Sequence, residues 1–260
     1  MKKFYLMIFA VITLAGMLAI SGCSGNSDSG TSQNKENSND QTAQQKEEGT
    51  LNQHEYVDLG LPSGTKWATC NVGATKPEEN GDYIAWGEAK KHDNNSYCLK
   101  FYEYSNNKEN CKSSGDPKLT KYCYDPEFGD NGFTDKLIAL EISDDAATAN
   151  WGKEWRMPTK SDFEELLSKC TWVWQSNGCK VTGPNGNSIF LPAAGRCEGM
   201  EIYSKSSGCY WSCSLYDGSE EPSGTLNAWC LKFDADGEPQ VCGGLRYDGR
   251  FVRPVYVSQN

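Results

Sequence analysis

The residues best suited to chemistry in this sequence are its cysteines. The 260 residues include 12 Cys but only two His, His54 and His92. So few histidines leave little material for a His-based metal site or for a Cys-His or Ser-His nucleophile pair. Structural zinc sites usually use closely spaced Cys pairs, and no C-x-x-C occurs in the sequence. We therefore predict no catalytic residue, no metal ligand and no cofactor.

One cysteine closes a segment with the layout of a lipoprotein signal. Two lysines precede an apolar run that ends in Ile20-Ser-Gly-Cys23. A positive start, an apolar centre and small residues before a Cys are the parts of such a signal. We predict a signal peptide over residues 1–22 and a lipid-modified Cys23. The rival interpretation is a retained transmembrane helix, for which the run is short.

The predicted lipid determines the expected location. Several acyl chains on one residue give stable anchoring, since each buried methylene contributes about 0.8 kcal/mol. We expect an outer-membrane protein, exposed at the cell surface, whose membrane partner is reached through Cys23. Eleven cysteines remain after Cys23, so an oxidising compartment leaves at least one of them free or paired between molecules. Their spacing does not assign the connectivity.

A polar tether is expected to separate the lipid from one folded domain. Residues 24–52 contain one Leu and no aromatic residue, Val or Ile. Such a segment cannot bury enough apolar surface to offset its ordering entropy. We predict a flexible tether over 23–53 and a single domain over 54–260, with an irregular insertion at about 93–135. The formal charge of −10 argues against a nucleic-acid partner.

The elements that must position any site are mostly strands. Apolar and β-branched segments bounded by Gly, Pro or Asn predict strands at 56–60, 66–70, 83–86, 188–191 and 251–256. A hairpin is predicted from an alternating strand over 227–233, a turn at 234–237 and a return strand over 239–242.

Two short helices complete the predicted α+β fold. The first follows Asp144-Asp145, where an acidic residue can serve as the N-cap. The second follows Thr159, which forms a capping-box-like pair with Asp162. Three apolar residues then share one helical face, namely Phe163, Leu166 and Leu167.

Five separated phrases occur in order over residues 56–256. They begin at Val57 (VDLGLPSGTKWATCNVGA), Trp151 (WGKEWRMPT), Ser188 (SIFLPAAG), Tyr210 (YWS) and Val252 (VRPV). Together they resemble the Fibrobacter succinogenes major paralogous domain family, found mostly in secreted and lipid-anchored proteins of Bacteroidota. The resemblance implies a C-type-lectin-like fold, akin to that of the formylglycine-generating enzyme, with its first and last strands paired. Because large aromatic residues dominate interior packing, we expect Trp151, Trp155 and Trp211 in the core.

Calcium-dependent sugar binding is one function that such a fold can carry. Lectins of this fold hold calcium with Glu-Pro-Asn and Trp-Asn-Asp motifs, of which only a partial echo, Glu238-Pro-Gln, occurs here. Two acidic clusters offer oxygen ligands, the first Asp234, Asp236 and Glu238, the second Asp130, Asn131 and Asp135. Turn chemistry and solvated loop carboxylates explain them better.

Ten residues near the C-terminus are the predicted ligand contacts. They are Cys209, Cys213, Tyr216, Asp217, Cys230, Asp234, Leu245, Asp248, Arg250 and Phe251. Their types are chemically unrelated, within a framework that resembles the family, whose members often have Asn or Ser at such places. Adenine mutation of Asn codons yields this mixture, so diversification by a retroelement is one hypothesis. The other is drift in exposed loops with one or two disulfides, and both remain open.

The predicted function is binding of an extracellular protein or glycan. Every second residue of a strand points outward, and aromatic and Arg side chains dominate binding hot spots, so Tyr216, Arg250 and Phe251 are the expected anchors. Two alternatives remain. One is an enzyme of the formylglycine-generating type, whose reactive cysteine pair has its nearest counterpart here in Cys209 and Cys213, at a different spacing. The other is a structural component of the envelope or of a surface appendage.

Overall fold

The computed structural model of the protein describes residues 48–108, 118–216 and 225–257. All of these belong to one compact unit. The predicted signal peptide, Cys23, the predicted tether up to residue 47 and Asp217 lie outside the described residues. Neither α-helix in the described ranges is long enough to cross a membrane.

The first sheet gathers both ends of the domain. Its antiparallel order is β1-β2-β3-β12, with β1 at Glu48–Leu51, β2 at His54–Asp58, β3 at Thr65–Ala68 and β12 at Val255–Val257. β1 lies within the predicted tether, so the prediction that the domain starts at residue 54 is wrong by six residues. The strand was not visible from composition because it is held by backbone pairing to β2 across a tight turn at Asn52 and Gln53, both with positive φ.

The last strand returns to this sheet, but it pairs with a different strand from the one predicted. β12 pairs with β3, whereas β2 lies on the other side of β3. The expected direct pairing of segment 56–59 with segment 251–256 is therefore wrong. The strand also begins only at Val255, because Pro254 has no N–H to donate and the buried Arg253 side chain turns inward to the carbonyl of Ala68 at the end of β3.

The second sheet has the order β11-β10-β9 and contains the predicted hairpin. β9 spans Ser207–Leu215, β10 spans Asn227–Asp234 and β11 spans Gln240–Leu245. At the turn between β10 and β11, the Asp234 carboxylate accepts hydrogen bonds from the backbone N–H groups of Asp236, at 3.2 Å, and Gly237, at 2.7 Å. The hairpin prediction is confirmed, and this carboxylate serves the turn.

A third sheet and a small hairpin follow the helices in the chain and precede β9. The sheet has the order β4-β5-β6, with β4 at Thr171–Gln175, β5 at Gly178–Thr182 and β6 at Ser188–Pro192. The hairpin joins β7, Arg196–Glu198, to β8, Glu201–Tyr203. The predicted strand at 83–86 is reduced to one backbone bridge between Ile84 and Arg250.

Both helices begin where their capping residues predict. α1 spans Ala146–Trp151, and the Asp145 side chain accepts from the backbone N–H of Thr148. α2 spans Lys160–Lys169 behind a complete capping box formed by Thr159 and Asp162. The described chain is thus mostly β-sheet with two short α-helices, in agreement with the predicted mixed class.

Aromatic side chains fill the interior. Trp151, Trp155 and Trp211 are buried, as predicted. The insertion at 93–135 has no strand or α-helix in its described parts, apart from a short 3₁₀ turn at Asp130–Gly132. It nevertheless packs its own tyrosines inward. The buried Arg246 guanidinium holds it in place by donating to the carbonyl oxygen of Tyr122 at 2.6 Å.

Candidate functional site

Half of the ten predicted contact residues lie in the interior. Their exposed fractions are 2% for Cys209, 0% for Cys230, 1% for Asp248, 6% for Arg250 and 0% for Phe251. The prediction that Arg250 and Phe251 point outward as anchors is wrong, and none of these five side chains can present a surface to a ligand. Strand alternation failed because the chain after β11 lies between β9 and Ile84 and is hydrogen-bonded to both. The Phe251 N–H donates to the carbonyl of Cys209, and the backbones of Arg250 and Ile84 exchange hydrogen bonds.

The buried set is occupied with internal contacts. The Arg250 guanidinium stacks 4.6 Å from the ring centre of Trp211, and its Nη1 donates to the Cys230 sulfur at 3.3 Å. Its Nη2 lies 3.3 Å from a carboxylate oxygen of Asp248, which is also 3.2 Å from Nε of Arg196. The ring of Phe251 packs 4.7 Å from that of Tyr83. These residues hold the C-terminal segment against the sheet.

Four of the predicted residues are partly exposed, and they do different things. Asp234 caps its own turn, as described above. Leu245 packs against the core cluster that contains Tyr97 and Tyr247. Cys213 donates its backbone N–H to the carbonyl of Pro158 at 2.8 Å. Tyr216 alone among these four places an aromatic ring at the surface.

Tyr216 belongs to a surface group that we call the Trp229 platform, formed by Tyr216, Trp229 and Lys160. The rings of Tyr216 and Trp229 have centres 4.4 Å apart and planes inclined by 46°. The ammonium of Lys160 lies 4.0 Å from the centre of the Trp229 ring. All three residues are partly exposed. An aromatic pair with a cation on a ring face is suited to contact a flat or apolar partner group.

Three elements position this platform. Trp229 lies on β10, directly opposite Gly243 of β11, and a Cβ at Gly243 would lie 3.2 Å from the Tyr216 ring. The missing side chain at Gly243 therefore gives the Tyr216 ring its place. Lys160 is the first residue of α2, and its backbone N–H donates to Ser214 Oγ of β9 at 3.1 Å. The capping box thus places the lysine over the tryptophan.

Sequence reasoning missed Trp229 and Lys160. Trp229 is not among the ten predicted contacts, but the alternation of β10 offered a signal, because Trp229, Leu231 and Phe233 share one face. Leu231 and Phe233 are fully buried in the core, whereas Trp229 is nearer the end of the strand and remains partly exposed. A large aromatic residue at the margin of a core face is a candidate contact residue. No local pattern indicated Lys160, since it meets Trp229 through tertiary packing.

The acidic clusters do not converge. In the second cluster, Asp135 accepts from the backbone N–H groups of Tyr122 and Cys123, while Asp130 accepts from the Asn106 side chain at 2.5 Å. Across the described ranges, no three His, Cys, Asp or Glu side chains are arranged to hold a metal ion. The carboxylates serve turns and loop contacts instead.

The cysteines nearest to a reactive pair of the enzyme type are in unfavourable surroundings. Burial raises the pKa of Cys213 to about 12, and it also raises the pKa of Cys209. A nucleophilic cysteine needs its thiolate form. Burial of these two residues opposes that form and so disfavours a nucleophilic role for them.

A groove of about 370 Å³ with a mixed polar and apolar lining lies elsewhere, beside the β4-β5-β6 sheet. Its lining includes Glu78, Asn177, Lys180 and Phe190. It is a second surface with room for a ligand, and it lacks a pair of aromatic rings. Comparison of the chain with protein-family models, curated proteins and solved structures finds no significant match.

Proposed function

We propose that this protein is a lipid-anchored outer-membrane protein whose C-type-lectin-like domain binds an extracellular protein or glycan through the Trp229 platform. The observation that carries the proposal is the partly exposed Trp229 ring, which lies 4.4 Å from the Tyr216 ring and 4.0 Å from the Lys160 ammonium. Trp and Tyr are enriched at the energetic centres of interfaces, where their large rigid rings lose little entropy on binding.

Two further observations support the fold and family. The return of β12 to the sheet of β1, β2 and β3 places both ends of the domain in one sheet, which is compatible with a C-type-lectin-like fold although the terminal strands are not direct neighbours. The phrases that resemble the Fibrobacter succinogenes family supply buried structural residues, among them Trp67, Trp155 and Arg253. A shared framework of this kind is compatible with contact residues that differ between proteins.

The test is a binding screen with variants. The purified full-length protein in detergent is applied to a glycan array and to an array of extracellular proteins. For any ligand found, we expect Trp229→Ala to weaken binding at least tenfold, since truncating a hot-spot residue costs about 2 kcal/mol or more. Tyr203→Ala, at an exposed tyrosine of β8, is the matched control and should leave binding unchanged.

The groove provides the contrary outcome. If Lys180→Ala abolishes binding while Trp229→Ala leaves it intact, the platform is not the contact surface and the proposal fails. Unfolding temperatures of all variants show whether each still folds. Binding on the glycan array would identify the ligand as a glycan, and binding on the protein array would identify it as a protein.

The lipid anchor has its own test. In cells fed labelled fatty acid, Cys23→Ala should produce an unprocessed or soluble precursor that carries no label. Incorporation of label into this variant would show that the lipobox interpretation is wrong.

The diversification hypothesis predicts a pattern of variation. Sequencing of the gene across one bacterial population should find changes at partly exposed positions such as Tyr216. Buried positions such as Arg250 and Phe251 should stay constant, because their side chains pack inside. Invariance at Tyr216 and the other partly exposed positions would contradict diversification.

A further inference from the structure

Two cysteines of the second sheet face each other across a strand pair. Cys230 of β10 is directly opposite Cys242 of β11, in an antiparallel register that is continuous from Asn227–Leu245 to Lys232–Gln240. Their sulfur atoms are 3.7 Å apart. Opposite residues of an antiparallel pair have Cα atoms about 4.5–5.5 Å apart, within the range that a disulfide spans. A small rotation of the side chains would bring the sulfurs to bonding distance.

The surroundings of this pair favour reaction at Cys242. Cys230 is fully buried, whereas Cys242 is partly exposed, so an external reagent reaches Cys242 first. The hydrogen bond from Cys230 lowers the pKa of Cys242 to about 7, and the nearby Arg250 charge acts in the same direction against the effect of burial. The positive guanidinium lies 3.3 Å from the Cys230 sulfur.

Other cysteines are placed differently. The Cys123 sulfur lies 3.1 Å from the carbonyl oxygen of Asp125, and that of Cys197 lies 3.8 Å from the carbonyl of Asn95. Cys209, on β9, pairs in register with Lys232 and is therefore diagonal to Cys230 on the same face of the sheet. Cys209 is the natural competitor for Cys230 and provides the matched control.

We propose that Cys230 and Cys242 form a dithiol–disulfide site that closes by exchange with an external disulfide. The Cys242 thiolate attacks one sulfur of the reagent, which forms a mixed disulfide and releases one thiolate. Cys230 then loses its proton and attacks the Cys242 sulfur, which expels the second thiolate of the reagent. The two released thiolates take up the two protons. Two protein thiols are oxidised and one external disulfide is reduced to two thiols.

The closed form would fix the two strands of the β10–β11 hairpin to each other. A cross-link over a loop of this length restricts the unfolded chain and raises the unfolding temperature, by roughly 5–10 °C for a domain of this size. The inference does not depend on the proposed ligand-binding function, because thiols and unfolding are measured without any ligand.

The test uses the full-length protein, reduced and then freed of reductant. Native protein is incubated with oxidised glutathione, remaining thiols are alkylated, and peptides are identified by mass spectrometry. We expect a Cys230–Cys242 linked peptide pair in the wild type and in Cys209→Ser. In Cys230→Ser, we expect a stable glutathione adduct on Cys242, because the second step is removed.

Three results would overturn the proposal. The first is recovery of Cys230 and Cys242 as free thiols from folded wild type. The second is a Cys209–Cys230 linkage in place of the proposed one. The third is a Cys230–Cys242 linkage that forms only when urea unfolds the protein. Since the wild type alone decides among these results, a variant that fails to fold does not weaken the test.

Discussion

The Nε of Arg253 donates a hydrogen bond to Oδ1 of Asn71 at 2.8 Å, although 182 residues separate them along the chain. Both residues are fully buried. The guanidinium also donates to the carbonyl oxygens of Ala68 at 2.9 Å, Thr69 at 2.8 Å and Phe190 at 2.9 Å. The Arg253 side chain therefore ties the end of β3 to the middle of β6.

Replacement of this arginine should be severe. Arg253→Met removes the donors and leaves several buried acceptor oxygens unpaired, so we expect a loss of about 3–5 kcal/mol in the free energy of unfolding. Urea denaturation followed by tryptophan fluorescence measures it. Lys180→Met, at an exposed position, should change stability by less than about 0.5 kcal/mol. Equal stability of the two variants would show that the guanidinium network contributes little.

The capping box of α2 should contribute to stability in a pH-dependent way. The Asp162 carboxylate accepts from the backbone N–H of Thr159 at 2.7 Å and from Nη1 of Arg156 at 2.7 Å. Burial raises the pKa of Asp162, but the Arg156 hydrogen bond and charge outweigh it and leave the pKa below its ordinary value. Asp162→Asn should therefore cost about 1–3 kcal/mol at pH 7.

The sign of the pH dependence follows from the lowered pKa. In the unfolded chain Asp162 binds a proton at about pH 3.9, whereas in the folded protein it does so at a lower pH. The contribution of the Asp162 charge to stability is therefore fully present above about pH 3.9 and is lost as the pH falls through the folded pKa. Urea titrations at pH 7 and pH 3 should show a smaller difference between wild type and Asp162→Asn at pH 3. A constant difference would mean that the carboxylate charge is unimportant.

Local signals explain which elements the sequence could predict. The caps of α1 and α2 depend on residues three positions apart, and the Asp234 turn depends on neighbours within three residues. The two helix caps and the turn were predicted correctly. β1 depends on pairing with a strand that follows, and its own composition is that of a tether. Polar strands at a sheet edge carry little hydrophobic pattern, so composition placed the domain boundary too late.

The candidate site was harder to predict because it depends on which side of a strand is covered. Alternation predicted outward side chains around Arg250, yet that segment is hydrogen-bonded on one side to β9 and on the other to Ile84, so its side chains are buried. A Cβ at Gly249 would lie 2.9 Å from Cβ of Tyr83, which shows how closely the chain passes the interior there. For Trp229 the opposite holds: it lies on the face of β10 that Leu231 and Phe233 bury, yet it remains partly exposed. Both outcomes are set by contacts between residues far apart in sequence.

Gly208 should tolerate no side chain, because Phe233 lies over it. The two residues are opposite each other in the pairing of β9 and β10, and a Cβ at Gly208 would lie 2.0 Å from the Phe233 ring. Gly208→Ala should cost about 1–3 kcal/mol through overpacking. The loss in free energy of unfolding of the double variant Gly208→Ala/Phe233→Leu should be smaller than the sum of the losses of the two single variants. Strict additivity in urea denaturation would show that the ring is not the obstacle.

Asp248 should make stability fall as the pH rises through mildly acidic values. Burial raises the pKa of Asp248 to about 6, although Arg250 and Arg196 act in the opposite direction. The folded protein then holds a proton that the unfolded chain loses near pH 3.9, so the contribution is fully present below pH 4 and is lost by about pH 6. Two pKa units correspond to about 3 kcal/mol. The free energy of unfolding of the wild type minus that of Asp248→Asn should therefore decrease between pH 4 and pH 6. ¹³C NMR of the Asp248 carboxyl group measures its pKa directly. A pKa near 4, together with the same pH dependence of stability in the wild type and in Asp248→Asn, would contradict the assignment.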